Sequence, residues 1–393
     1  VYVVGRGGSN VLQVYDPAGG FALEREFSLG SGLNLQDIAF DSAGDAYLSC
    51  YDQALLLRVD VENEVILDTY DTAFLADADG LPETAWMIAV GDRLFIAVQK
   101  LDSLNWYAPT GPGAVAVFDM AAEQWIDADP GLAGDQPIPL LGANPYTRFD
   151  PVRNDVGDLV LRVGCSGSFV VLDGGVEEID PFGLANLGQV ATEAQLGGDI
   201  IGQIGIEGEL FVLVSDSSFA TSVRRFDPGS GQLTVLDAST AYDHADLAWD
   251  GGFQLFVADR AAGASGLRVF DLDSGSELTA GAIPTGLPPF MFVLPGKPGI
   301  SSVPGAPGPA ALGLGAPYPN PCNPRASLEV TGRSGDTVEA RVIDLRGRVV
   351  GWSTIALDGS GRGSFTFTGR GGDGRNLAAG VYRVVVQGGS GFA

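Results

Sequence analysis

Residues 243–271 read DHADLAWDGGFQLFVADRAAGASGLRVFD. A short apolar segment, ADLAWD, runs into a Gly-Gly turn. The strand-like QLFVAD follows, then a Gly-rich loop. GLRVFD then ends on an aromatic residue and Asp271. Runs of β-branched and aromatic residues bounded by Gly and Asp are strand signals. The hairpin part of this stretch recurs five times upstream, at 1–16, 46–60, 93–119, 158–173 and 209–227. The closing aspartates of the six copies are Asp16, Asp60, Asp119, Asp173, Asp227 and Asp271, spaced 44, 59, 54, 54 and 44 residues apart. Most are followed by a turn and a further strand, such as EVILDTY or QLTVLDAS.

A short strand precedes five of the hairpins: LQDIAFD (35–41), AWMIAVG (85–91), YTRFDPV (146–152), IGQIGIEG (201–208) and ADLAWDG (245–251). The unit is therefore four antiparallel strands, the period of a β-propeller blade. The first hairpin lacks its inner strand, and an unclaimed strand, PPFMFVLPG (288–296), follows the sixth. The expectation is an all-β, six-bladed β-propeller over 1–296, closed by strand swap, with no open sheet between first and last blades. The [N/D]xxD-apolar-A-aromatic-D pattern of 34–41 and 243–250 resembles NHL, YVTN and senescence marker protein/gluconolactonase-type propellers.

Composition fits this architecture. Apolar residues make up 45% of 393, charged residues 18%, and Gly numbers 57. No apolar run is long enough for a membrane span. The chain opens mid-pattern on VYVVG, as a processed start would. Net charge is −27 and unevenly spread. Residues 314–393 hold nine Arg against six acids, which leaves +3 there and −30 over 1–313. An acidic body argues against nucleic acid as a partner. Cys50, Cys165 and Cys322 form no CxxC pair, so neither a zinc site nor a disulfide framework is expected. Cys50 and Cys165 fall two blades apart and are expected to be unbonded.

Aligning the inner strands puts Asp37, Met87, Gln203 and Asp246 at one equivalent position, with Arg148, Asn34, Asp243 and His244 near it. The propeller resemblance implies two chemistries there. One is a calcium ion held by Asp37 and Asp246, since hard cations take several oxygen ligands. The other is general-base catalysis by His244, the only histidine. The structural alternative is that these aspartates tie blades together by accepting backbone N–H bonds. The long loop KLDSLNWYAPTGPGA (100–114) carries Trp106 and Tyr107, which are placed to stack on sugar or peptide or to pack on their own blade.

Residues 297–315 are rich in Pro, Gly and Ala and read as a linker. The segment 316–393 then opens on PYPNPCNP and continues as a small Ig-like β-sandwich pattern through VIDLRGRVV, GSFTFTGR and GVYRVVV. It resembles the C-terminal sorting domains of type IX secretion and the related Ig-like domain of flagellar hook-capping proteins. That resemblance implies export to the outer surface of a bacterial cell, with attachment to surface glycan or lipopolysaccharide. A further strand follows GVY in that family, so an unfilled sheet edge is expected here. Three functions follow. The first is a non-enzymatic surface protein, with the propeller as platform and the basic tail meeting the acidic body of another subunit in rings or filaments. The second is a calcium-assisted hydrolase or lyase using Asp37, Asp246 and His244. The third is a carbohydrate- or peptide-binding module using Trp106 and Tyr107.

Overall fold

The computed structural model describes residues 1–154, 157–293, 313–315 and 325–392, apart from 332–336, 345–347, 359–361, 372–374, 376, 379 and 389–390. It divides into Val1–Ser301 and Ser302–Ala393. Among the described residues helix is confined to Glu193–Leu196 and one 3-10 turn, Ala73–Leu75.

Among the described residues, six antiparallel sheets of three or more strands follow one another through the first unit, beside the two-stranded ribbon Leu101–Asp102 and Ala108–Pro109. Sheet one pairs Tyr2–Val4, Val11–Asp16 and Ala22–Ser28, with no inner strand. Sheet two runs Leu35–Phe40, Ala46–Cys50, Leu55–Asp60, Val65–Asp71. Sheet three is Thr84–Val90, Arg93–Val98, Ala114–Asp119 and the short Gln124–Trp125, with Ile138–Pro139 also on Ala114–Asp119. Sheet four is Asp150–Arg153, Leu159–Cys165, Gly175–Asp180, Ala185–Thr192. Sheet five is Asp199–Ile206, Glu209–Ser215, Thr221–Asp227, Gln232–Ala238. Sheet six is His244–Trp249, Gln254–Asp259, Gly266–Asp271, with single bridges to Glu277 and Ile283 as the remnant of an outer strand.

The middle strands of sheets two to five are apolar on both faces because those sheets are covered on both faces. In Arg93–Val98, Leu94, Ile96 and Val98 join Tyr47 and Leu56 of sheet two, while Phe95 and Ala97 join Leu161 and Val163 of sheet four. The same division gives a core between sheets one and two (Leu12, Leu48), four and five (Val176, Val212), and five and six (Phe211, Val257). Five cores between six successive sheets make the first unit a propeller. The period-2 pleat feeds alternate side chains into different cores, and each fully buried Leu or Phe contributes about 1.5–3 kcal/mol.

The closing aspartate of each third strand accepts backbone N–H groups of the following turn. Asp16 accepts from Ala18, Asp60 from Glu62 and Asn63, and Asp119 from Ala121 and Ala122. Asp227 accepts from Gly229 and Asp271 from Ser274. In sheet four this residue is Asp180, bonded to Phe182 N at 2.8 Å, rather than the expected Asp173. The stretch SFVVL (168–172), expected as a strand, is an exposed loop, and the third strand is GVEEID. Two apolar runs compete for one strand there. The run that buries Val176 and Ile179 and ends in the Asp-Pro-Phe-Gly turn wins.

Closure differs from expectation. Residues 288–293 form no strand on sheet one, and 294–296 lie outside the described residues. Phe292 is nevertheless held beside the inner strand of sheet six, its N–H on Asp246 Oδ2 at 2.6 Å and its ring 6.4 Å from that of Phe256.

The second unit stacks two sheets. One pairs Gly313–Leu314, Ala326–Thr331 and Arg362–Phe367. The other orders Val349–Ala356, Thr337–Asp344, Tyr382–Gly388 and Gly391–Phe392. Leu328, Val330, Val338, Val342 and Phe365 fill the space between them. The edge expected to be unfilled carries the two-residue strand Gly391–Phe392 at one end. The PYPNPCNP motif with Cys322, and nearly all of the 297–315 linker, lie outside the described residues.

Candidate functional site

The inner strands bring Asp37, Arg148, Gln203 and Asp246 into one connected group. Asp37 sits at a bulge in the first strand of sheet two. Its Oδ2 accepts the N–H of Met87 in sheet three at 2.8 Å and its Oδ1 accepts Ile38 N. Burial pushes the Asp37 carboxyl up to about 6, against those two N–H bonds and the nearby Arg148 and Arg6 charges. Arg148, entering sheet four, donates from Nη2 to both oxygens of Asp246 in sheet six at 2.6 and 2.7 Å, and from Nη1 to Phe292 O. Burial also raises Asp246, with Arg148 opposing. Gln203 Nε2 reaches the carbonyls of Arg148 and Arg162. Asp150 of sheet four accepts Gly205 N of sheet five at 2.5 Å. Asp37, Asp150 and Asp246 thus each accept an N–H from the following sheet or segment, satisfying buried donors. Among the described residues, no three His, Cys, Asp or Glu side chains converge as a metal site.

His244 is 1% exposed. Its Nδ1 lies 3.0 Å from Thr221 Oγ1 and its Nε2 lies 2.8 Å from Asp237 Oδ2. Asp237 also meets Arg268, which bonds Glu277 at 2.9 Å. Thr221 Oγ1 already accepts His244 N and Asp243 N. The Thr221 hydroxyl also lies 3.2 Å from Ala241 O, an acceptor that competes with Nδ1 for its one proton. Both ring nitrogens are engaged and no face of the ring reaches solvent. Asn34 and Asp243 are likewise occupied, by Gly7 N and Asp52, and by Ser239. Cys50 and Cys165 are free, buried thiols, and burial pushes Cys50 up to about 12.

The accessible chemistry lies at one end of the sheets. The end of a second strand bonds the start of the next sheet's first strand. Thr84 Oγ1 donates to Cys50 O, Gln99 Nε2 to Pro145 O, and Ser166 Oγ to Ile200 O. These junctions set the second-to-third-strand loops of sheets two to five, and the sheet crossovers, on the same end. Three of those loops expose apolar tips. In sheet three, Leu104 is 91% and Trp106 96% exposed, with Tyr107 6.1 Å from Tyr51. In sheet four the tip is Phe169–Leu172, and in sheet five it is Phe219, each about half exposed.

The backbone is left-handed at Trp106 (φ 57), Tyr107 (55), Val170 (65) and Phe219 (61). Bulky and β-branched residues rarely adopt that region, and each such residue costs about 1–3 kcal/mol and persists only where its surroundings impose it. Aspartates impose it. Asp102 accepts Leu104 N, Asp173 accepts Ser168 N, Asp199 accepts Val170 N at 2.7 Å, and Asp216 accepts Ser218 N and Ala220 N. The segments 51–54, 72–82, 99–113, 166–174 and 216–220 hold six carboxylates, Asp52, Asp77, Asp79, Asp102, Asp173 and Asp216, against Lys100 alone. Trp106 and Tyr107 were legible from the sequence as an aromatic pair in a long loop. Phe169, Val170 and Phe219 were not, because FVVL imitates a strand. The competing VEEID-PFG was the signal that could have separated them. At the opposite end, a cleft of about 530 Å³ opens between sheets four and five, lined by Arg162, Glu178, Glu207, Glu209 and Asp227.

No family model and no curated protein sequence matches the chain. Among solved structures, the Dos1 propeller is similar over 73% of this chain and 68% of its own, at 12% identity and TM-score 0.47. A mitotic checkpoint complex chain is similar over 72% and 77%, at 11% and 0.46. The extracellular domain of the putative one-component system BT4673 from B. thetaiotaomicron is similar over 97% of this chain and 51% of its own, at 14% and 0.43. All three TM-scores lie below 0.5, and the propeller assignment rests on the five inter-sheet cores.

Proposed function

We propose that the protein is a non-enzymatic interaction platform. Val1–Ser301 is a propeller of six successive blades that presents its apolar, acid-rimmed loop end to a protein partner. Residues 316–393 form an Ig-like sorting domain that delivers and attaches it at the cell surface. The observation that carries this reading is the contrast between the two ends of the ionisable inventory. Asp37, Asp246 and His244 are spent on internal bonds, while exposed apolar side chains sit at tips on enforced left-handed backbone. Contiguous exposed apolar groups with a polar rim are what a protein interface requires. The export half is supported by PYPNPCNP, VIDLRGRVV and GVYRVVV standing in that order in the C-terminal segment and by the stacking of its two sheets.

The experiment compares His244→Ala with the triple tip variant Trp106→Ser, Phe169→Ser, Phe219→Ser. His244→Ala is expected to lower unfolding free energy by about 1–3 kcal/mol through the lost ring bonds to Asp237 and Thr221, leaving partner binding measured by biosensor at full amplitude. The triple variant keeps its stability and loses binding. Calcium-dependent ester, lactone or lyase turnover that disappears in His244→Ala would instead establish the catalytic reading with Asp37 and Asp246 as ligands.

A further inference from the structure

The second unit carries an exposed face that combines an aromatic side chain with a cation. In its larger sheet, Trp352 stands directly opposite Arg341. Trp352 is 67% exposed and Val349 48%. The side chains pointing the other way from the same strands, Val338, Ala340, Val342 and Ile355, fill the core between the sheets. The Trp352–Arg341 face is therefore the outer face, not a gap in the packing. Among the described residues Arg341 pairs with Glu339, a neighbour on its own strand, with both side chains 40–45% exposed. Such a surface pair is weak and easily exchanged. The loop end of the first unit offers the matching chemistry: a tryptophan and other apolar tips inside a rim of carboxylates.

We infer that the loop end bearing Trp106, Val170 and Phe219 docks the Trp352–Arg341 face of a second copy of this chain. This rests on reading the first unit as an interaction platform, and it names the partner. Charge selects that partner, because the segment 314–393 is the cationic part of a chain that is otherwise strongly anionic. Two loop ends repel each other, whereas a loop end and an arginine-bearing face attract. Guanidinium groups also stack well on indole rings. The contact joins two different surfaces of identical chains, so it is heterologous. Repetition gives a ring or a filament, not a closed two-fold dimer.

Sedimentation velocity of the full chain tests this over a concentration series at low and high salt, with Trp106→Ser and Trp352→Ser. The wild-type chain is expected to grow in mass with concentration, less so in high salt because exposed charges are screened. Each variant alone should stay monomeric, with self-association at least ~10-fold weaker, as loss of an interface tryptophan produces. An equimolar mixture of the two variants should form two-chain particles and nothing larger, since each supplies the half the other lacks. Trp106→Phe and Trp352→Phe, which keep an aromatic ring, should associate as wild type and guard against a folding artefact.

A wild-type chain that stays monomeric at every concentration overturns the inference. So does either serine variant associating normally, or a mixture that stays monomeric. A monomer whose sedimentation slows in both serine variants would place the contact within one chain, also overturning it. To separate these failures from failure of the platform reading, an arginine-rich apolar peptide is titrated against Trp106 fluorescence. Saturable quenching by a monomeric protein would leave the platform standing with a different partner.

Discussion

Glu83 begins the approach to the inner strand of sheet three and is 1% exposed. Its Oε2 accepts Leu101 N at 2.9 Å, while Oε1 has no hydrogen-bond partner. Burial, with the neighbouring Asp79, Asp77 and Asp52 charges adding to it, pushes this carboxyl from 4.5 up to about 8. The folded state therefore holds a proton that the unfolded chain releases. This contribution to stability is complete below about pH 4.5 and is lost as pH rises through about 8. Glu193 and Asp37, raised to about 7 and about 6, act in the same direction. Glu83→Gln should raise the unfolding free energy at pH 8 by about 1–3 kcal/mol and change little at pH 4, read from denaturant midpoints. Val170 tests the strain at the loop tips. Val170→Asn, which tolerates the left-handed region, should stabilise by about 1 kcal/mol in the same assay. An unchanged or lowered midpoint would mean that the loop is not strained.

At the scale of elements, the repeat was legible because it is local. An apolar run, a turn and a closing aspartate are read within one hairpin, and the aspartate's work is done on N–H groups two or three residues away. Sheet four shows where this fails. SFVVL has strand composition, but Gly174 leaves room for a tight approach. A Cβ there would stand 1.9 Å from Cys165 O, and the third strand starts only after it. Asp180→Ala should cost about 0.5–1.5 kcal/mol through the lost bond to Phe182 N. Asp173→Ala should leave the sheet intact and loosen the 166–174 loop. Hydrogen exchange at 175–180 against 166–174 distinguishes the two.

At the scale of the whole molecule, the segment after sheet six links the inner strands that the sequence could only count. A chain ending at Ser301 should keep the unfolding midpoint of the first unit. One ending at Gly286 loses the Phe292 bonds to Asp246 and Arg148, and should be destabilised by at least about 1.5–3 kcal/mol, the worth of a hydrogen bond to a charged group. Equal midpoints for the two would show that 287–301 contributes nothing to the ring.

The succession of six hairpins, the boundary near residue 300 and the opposed charges of the two segments were set by sequence alone. They follow from periodicity and composition, which need no partner distant in the chain. The fates of Asp37, Asp246 and His244 were decided only by tertiary structure. Their spacing suits a ligand site as well as an inter-sheet tie, and only the position of Met87 N, Phe292 N and Asp237 favours the tie. The same holds for the loop tips: FVVL and SSFA become a surface only because the inter-sheet junctions bring three sheet ends together and aspartates hold each tip outward.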